Sequence, residues 1–321
     1  MGFLISLIFL WLALRKVDLH EVPRILATAK PEYVALMFLT LPLEFITRAY
    51  RWKILLGRLE IPLIRYLCGW IFGMFFNNIF PARAGEFVRS MYLGRKNGIP
   101  SSEAFGSVVL ERFMDGIVVL SFIALSFSHF PVHANLRSAG FTALGFYLTI
   151  CVVLIIMQFR PAWPDSVLGV LLHPFPETLK TRVFAIKDSF VKGFAMIRHP
   201  SRVLLGLLLS FGTWGLSLVT VWLGMQVFGL AAGFWEALLL ISVLSIGAMI
   251  PSSPGMIGIY EYCCILALVG VLGMNREVAI TTGLFLHVFS YLFVLVAGVG
   301  FLFYENLSLK ELESEAETAA S

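Results

Sequence analysis

Residues Asn77-Asn78-Ile79-Phe80-Pro81-Ala82-Arg83-Ala84-Gly85-Glu86-Phe87-Val88-Arg89 put two amides, a Pro-to-Gly break and three charges between an apolar run and a half-apolar one. In a soluble protein this would be a surface turn. Here 59% of the residues are hydrophobic and 14% charged, against about 25% charged in a soluble domain, and the mean hydropathy is +0.87. The chain is therefore read as an all-α polytopic membrane protein. In such a chain, charges and a helix break inside apolar sequence are costly and need a role. The stretch is read as the tip of a re-entrant helical hairpin that holds polar groups where a lipid headgroup could meet them.

Charge and cysteine usage exclude several other classes. The net charge is +4 and the basic residues are scattered, so no nucleic-acid-binding stripe exists and they are read as topology signals. Cys68, Cys151, Cys263 and Cys264 lie in apolar runs without Cys-x-x-Cys or Cys/His spacing, as small apolar fillers do. No metal and no cofactor is expected. No Walker A motif is present, so ATP hydrolysis by this chain is not expected.

In chain order, 2–14 is a short or tilted first helix rather than a cleaved signal peptide, since no basic residue precedes it and no small-residue cleavage site follows it. Residues 17–30 are polar and amphipathic, as at an interface. Residues 33–56 are long enough to span and end in Arg48, Arg51, Trp52, Lys53 and Arg58, the pattern of a cytoplasmic helix end. Glu44 and Arg48, four apart, can pair on one face. Residues 63–80 and 85–96 flank the first break, where Pro81 removes a backbone donor and Gly85 tolerates unusual dihedrals.

Pro100-Ser101-Ser102-Glu103 reads as a helix start. In the helix to 128, Glu103, Ser107, Glu111 and Asp115 recur every four residues on one face, with Arg112 beside them. Glu111 falls about 15 Å in from Ser101, near the middle of a ~30 Å core. Either Arg112 and Asp115 pair structurally or the face lines a polar lipid or ion path. Residues 129–137 form a loop and 141–159 a span. The polar stretch 160–202 is a linker whose part 180–198 suits an amphipathic helix on an anionic leaflet. Residues 203–230 span again, 235–250 and 256–272 flank a second break at Pro251-Ser252-Ser253-Pro254-Gly255, and 278–303 is the last span. Residues 305–321 form an acidic tail expected to be disordered.

The two breaks share Pro-x-x-x-Gly at an offset of 170, Pro81/Gly85 and Pro251/Gly255, and Trp52 and Trp222 keep that offset. Span, broken hairpin, span occurs twice, giving a single membrane domain 1–304 with repeats at about 31–128 and about 200–304. Six spanning helices and two hairpins make eight hydrophobic elements. Three crossings separate the starts of the repeats, so they are inverted. Sixteen Lys and Arg fall on one side of this topology and six on the other, which puts the richer side and both termini in the cytoplasm of a bacterial or archaeal cell. Inverted repeats with broken helices are a transporter plan.

Three motifs in order, Asn78-x-x-Pro81-x-Arg83-x-Gly85-Glu86-x-x-Arg89, then Glu111-Arg112-x-x-Asp115, then Pro251-x-Ser253-Pro254-Gly255 with Glu261, resemble the lysylphosphatidylglycerol synthase transmembrane region, or flippase-like, family over about 31–304. The chain departs from that pattern at Met256, where the family often has a glycine. The resemblance implies a module that moves a lipid between leaflets, here without the separate aminoacyl-transfer domain of the bifunctional synthases. It does not fix the substrate, because relatives are also linked to hopanoid and polyprenyl-phosphate sugar metabolism.

On that reading Arg83, Arg89 and Arg112 bind a headgroup phosphate, and Glu86, Glu111 and Asp115 balance them, bind a cationic headgroup or carry a coupling proton. Asn77, Asn78, Ser252 and Ser253 supply neutral hydrogen bonds, and Glu261 is the lone acid of the second hairpin. The partner is a membrane lipid with an anionic phosphate, and a homo-oligomer or a lipid-synthesis enzyme partner is compatible with it. Two other readings stay open. One is a membrane-embedded headgroup or glycosyl transferase with Glu111 or Asp115 as base, against which stands the lack of an Asp-x-Asp metal pair. The other is an accessory or scaffold subunit of a lipid or glycolipid pathway.

Overall fold

The computed structural model describes residues 2–80, 84–131, 134–159, 162–173, 176–193, 199–250 and 253–305. These are helical, with no strand among the described residues. In order they are α1 (Gly2–Leu14), α2 (Glu21–Leu26), α3 (Pro31–Leu56), α4 (Leu63–Ile79), α5 (Gly85–Asn97), α6 (Ser101–His129), α7 (Ala134–Phe159), α8 (Ala162–Leu171), α9 (Glu177–Gly193), α10 (Pro200–Val227), α11 (Phe234–Gly247), α12 (Ile259–Cys264) and α13 (Arg276–Glu305). A single turn at Pro254–Met256 precedes α12, and a π-helical stretch, Ile265–Val271, continues it.

Local signals set these boundaries. Prolines stand at the first position of α3 and α10, where the missing N–H has no intrahelical role. Gly233 donates its N–H to Glu236 Oε2 at 2.8 Å and so caps α11. α7 begins at Ala134, earlier than the expected 141.

At about 1.5 Å per residue, α3, α6, α7, α10 and α13, with 26, 29, 26, 28 and 30 residues, each exceed a ~30 Å hydrocarbon core. By length and composition together, α10 and α13 qualify as membrane spans. α3 and α6 are less apolar because their charged residues gather on buried stripes. Leu39 of α3, Leu208 of α10, and Leu292, Val296 and Phe303 of α13 are exposed, so the bundle is apolar outside and ionic inside, the arrangement lipid requires.

The succession long, short, short, long in α3–α6 recurs in α10–α13. α3 lies antiparallel to α10: Lys30 N donates to Val227 O at 3.0 Å, Thr220 Oγ1 to Thr40 Oγ1 at 2.9 Å, and Arg51 Nη1 to Ser210 Oγ at 2.8 Å. The sets are also laced crosswise. α4 runs antiparallel to α13, from Arg65–Glu305 at 2.5 Å to Tyr291 OH on the Asn78 carbonyl at 3.1 Å. α11 packs on α6, with Trp235 stacked on His129.

Glu305 corrects one boundary. It was expected in a disordered tail, but it is the buried last residue of α13, gripped by Arg65 and, at 3.0 Å, by Lys96. In the linker, α9 docks on the start of α6 at Gly106 and Gly193, whose backbones approach too closely for a Cβ on either. One flank of α9 therefore meets protein.

Candidate functional site

The four-residue spacing on α6 builds a polar ladder against α3, which runs the other way. Arg58 Nη2 lies 2.9 Å from Glu103 Oε1, and Trp52 Nε1 donates to Ser107 Oγ at 2.9 Å. Arg51 Nη2 lies 3.1 Å from Glu111 Oε1, and Arg51 also binds the Asp115 carboxylate. On α6 the rungs stand one helical turn apart, while their partners are Arg58, just past the end of α3, then Trp52, and Arg51 serving the last two.

Beyond the ladder, α5 and α10 close the centre. Arg89 Nη1 and Nη2 each donate to Glu111 Oε1 at 3.2 Å, and Nη2 lies 2.6 Å from Glu86 Oε2. Arg112 reaches Glu111 at 3.1 Å, Asp115 at 3.4 Å and Glu86 at 3.5 Å. From α10, Trp214 Nε1 donates to Asp115 Oδ1 at 2.9 Å. The indole of Trp52 faces the Arg89 guanidinium at 5.0 Å, and Arg48 sits between Trp70 and Trp214 while pairing with Glu44.

Three arginines and three carboxylates thus neutralise one another. Arg51 and Glu111 are 0% exposed and Arg89 1%, whereas the side chain of Arg112 is 42% exposed and that of Glu86 25%. The network is sealed on one side and open at Arg112 and Glu86. Pairing removes most of the roughly 2.5–3.5 kcal/mol that each ionised group would cost at a bilayer centre. It does not satisfy every donor. The Nε atoms of Arg51, Arg89 and Arg112 are buried without a hydrogen-bond acceptor among the described residues.

The second break is built differently. His287 on α13 contacts the Gly255 carbonyl through Nε2 and Glu261 Oε1 through Nδ1, both at 2.6 Å. Glu261 Oε2 accepts the Gly258 N–H at 2.7 Å. Met256 has φ 59°, a left-handed backbone suited to glycine. Ser6 of α1 donates to Ser253 Oγ at 2.7 Å. The two breaks approach at Tyr291, which touches the Asn78 carbonyl and packs beside Gly255. A cavity of about 360 Å³ lies there, lined by Ser6, Leu7, Leu10, Asn78, Ser253, Ile257 and Tyr291 among others.

With this geometry in hand, comparison with known proteins is decisive on one point. The model of the lysylphosphatidylglycerol synthase TM region matches residues 1–298. The chain belongs to that family. It is 30% identical over 138 residues to a UPF0104 membrane protein of Methanocaldococcus jannaschii, a match spanning 40% of each chain. It is 24% identical over 362 residues to the glycosyltransferase AglD of Haloferax volcanii, covering 98% of this chain and 55% of that protein. A UPF0104 membrane protein of Pyrococcus horikoshii is 23% identical, with 96% of each chain covered. The chain thus spans 40% and 55% of the first two of these relatives. No solved structure matches it.

Of the residues singled out from the sequence of this family member, Glu86, Arg89, Glu111, Arg112 and Asp115 come together in one network. Asn77 does not join it: its Oδ1 accepts the Gly85 N–H at 2.9 Å and holds the first break in shape. Asn78 and Ser253 line the cavity at the junction of the breaks instead. Glu261 is spent on Gly258 and His287. Arg83 and Ser252, with Pro81 and Pro251, lie outside the described residues.

The expected basic helix end is corrected. Arg51 and Trp52 are fully buried and Arg48 is nearly so, because α6 offers carboxylates to Arg51 and a hydroxyl to Trp52, and Arg48 pairs with Glu44 on its own helix. Arg51, His287, Tyr291 and Trp214 were missed as site residues. Arg51 carried no local signal that separates it from Lys53 and Arg58, because its carboxylate partners Glu111 and Asp115 lie on α6. His287 carried none beyond being an ionisable residue inside the last apolar run.

Proposed function

We propose that this chain moves a phosphate-bearing lipid between the leaflets of a cell membrane. The observation that carries this reading is the buried arginine network with three Nε–H donors that lack acceptors. Arginine presents a donor fork matched to phosphate oxygens. Because the network is already neutral, an incoming phosphate must displace a carboxylate, and Glu86 is the exposed one. Arg112, open at the same edge, is the first contact, and Arg89 exchanges Glu86 for the headgroup. Burial of the remainder keeps the displaced charges from being lost to water.

In the same reading, α3–α6 and α10–α13 are inverted repeats within one domain, 1–304. Six spans and two re-entrant arms, α4–α5 and 235–272, meet at the junction of the breaks, and both termini are cytoplasmic. The antiparallel α3 and α10 and the crosswise packing of α4 on α13 and α11 on α6 support it. A second reading, an accessory or catalytic membrane part of a glycolipid pathway, draws on the similarity to AglD alone.

The test is reconstitution in liposomes with a fluorescent phosphatidylglycerol, following the label's exposure to a membrane-impermeant quencher. Wild type is expected to exchange the lipid between leaflets and Arg112→Ala to lose most of that exchange. Product formation from a sugar-phosphate lipid without leaflet exchange would favour the second reading. Undiminished exchange by Arg112→Ala would remove the arginine network from the mechanism.

A further inference from the structure

We propose that His287 and Glu261 form a proton-binding clasp that ties the second break to α13. This deepens the transport reading, on which its role as the coupling site rests, by naming a proton as the ion exchanged.

A carbonyl oxygen only accepts, so Nε2, 2.6 Å from Gly255 O, carries a hydrogen. Nδ1 is 2.6 Å from Glu261 Oε1, a distance at which a lone pair and a carboxylate repel unless a proton lies between them. Both ring nitrogens find partners in this orientation, which fixes the ring against a flip. The pair therefore shares one proton, held either as imidazolium and carboxylate or as neutral imidazole and carboxylic acid. Each form has zero net charge, which suits a site where His287 and Glu261 are almost wholly buried. Release of that proton leaves one net negative charge and a single ring hydrogen facing two acceptors, so either the Glu261 contact or the Gly255 contact turns repulsive. Either way the link from Gly255 through His287 to Glu261 is cut and the second break loosens, while the Glu261 carboxylate keeps the Gly258 N–H.

The first half of the bundle has a counterpart. Arg89 at the start of α5 grips Glu111, the eleventh residue of α6. Glu261 at the start of α12 grips His287, the twelfth of α13. A guanidinium is a permanent cation, whereas imidazole is the side chain whose charge ordinarily changes in the physiological range. One hairpin is tied permanently and the other conditionally.

The neighbours of the clasp are few. Tyr260 stacks on the His287 ring and Tyr291 stands one turn along α13. Cys263 and Cys264 lie on α12, Cys264 against Gly283. α10 packs on α13 at Gly224 against Leu286, 22 residues and so roughly 33 Å from Arg202, the charged residue of that helix. Arg65 and Lys96 meet α13 at Glu305, 18 residues and so roughly 27 Å away. Glu21 and Arg24 of α2, which packs on α13, pair with each other.

The experiment uses the full chain in phosphatidylcholine–phosphatidylglycerol vesicles from about pH 5 to about pH 9, the range a histidine can sense. Amide hydrogen exchange of 253–264, corrected for intrinsic rates, reads the clasp. The wild-type opening equilibrium is expected to rise by up to about tenfold per pH unit through one proton's release. His287→Gln should be flat and open, and His287→Arg, a permanent donor that also covers misfolding of the glutamine variant, flat and closed. Equal pH dependence in wild type and both variants overturns the proposal, as does lipid exchange whose pH profile His287→Arg leaves unchanged. If 253–264 responds through His287 but no lipid moves, the transport reading fails and the proton site stands.

Discussion

Arg51 and Asp115, 64 residues apart in sequence, meet with Nη2 3.2 Å from Oδ2, and the arginine side chain has no solvent exposure. Arg51 also holds Glu111 and Ser210, so one guanidinium joins α3, α6 and α10. Replacing it with methionine leaves two carboxylates short of a buried partner. Breaking a buried pair from one side costs about 3–5 kcal/mol. Thermal unfolding in detergent should show Arg51→Met strongly destabilised, with Lys53→Met near wild type. A double variant, Arg51→Met with Asp115→Asn, should recover part of the loss, and strict additivity of the two would mean that they do not act as a pair.

Met256 is the described non-glycine residue with positive φ. A side chain in that region costs about 1–2 kcal/mol, and a β-branched one more. Met256→Gly should therefore leave melting temperature unchanged or raised, despite glycine's greater freedom in the unfolded chain, and Met256→Val should lower it. A valine variant as stable as wild type would contradict the left-handed backbone at this position.

The helical class, the order of elements and both breaks were legible because each is written locally, in apolar run length and in Pro-x-x-x-Gly. Five network residues were legible for the same reason, since a carboxylate stripe at helical spacing inside apolar sequence has few other uses. Arg51 was misread because a basic residue near an aromatic at a helix end has the same local appearance whether it faces headgroups or a carboxylate on another helix. His287 and Ser6 were invisible because their partners lie 26 and 247 residues away. The local role of Asn77, which holds the Gly85 amide, depends on the path of the break and not on composition.

The first hairpin depends on close backbone approach. A Cβ on Gly85 would overlap the Gly73 carbonyl, where α4 and α5 cross. Gly85→Ala should force the arms apart and pull Glu86 and Arg89 from Arg112 and Glu111. Overpacking of this kind costs roughly 1–3 kcal/mol, and here it also reshapes the network. Gly98→Ala, which has open space around it, serves as the control, costing about 1 kcal/mol through its positive φ alone. Loss of lipid exchange in Gly85→Ala but not in Gly98→Ala is the expected outcome, and equal effects would mean that the approach of the arms does not matter.

Glu86 and Glu111 share Arg89 and Arg112 but should answer differently to neutralisation. Glu111 is fully buried among Arg51, Arg89 and Arg112, so Glu111→Gln leaves uncompensated cations in the centre and should reduce stability by several kcal/mol. Glu86 is partly exposed beside Arg112, where screening makes its pairing worth less. Glu86→Gln should fold normally while leaving the open edge one positive charge in excess. The proposed displacement then needs no carboxylate to leave, so a phosphate-bearing lipid should bind about tenfold tighter, a change of about 1.4 kcal/mol, and leave more slowly. Quantitative lipid mass spectrometry of the purified protein should show more retained anionic lipid, and the vesicle assay should show slower turnover. Retention equal to wild type would mean that Glu86 and the headgroup do not compete for the same arginines.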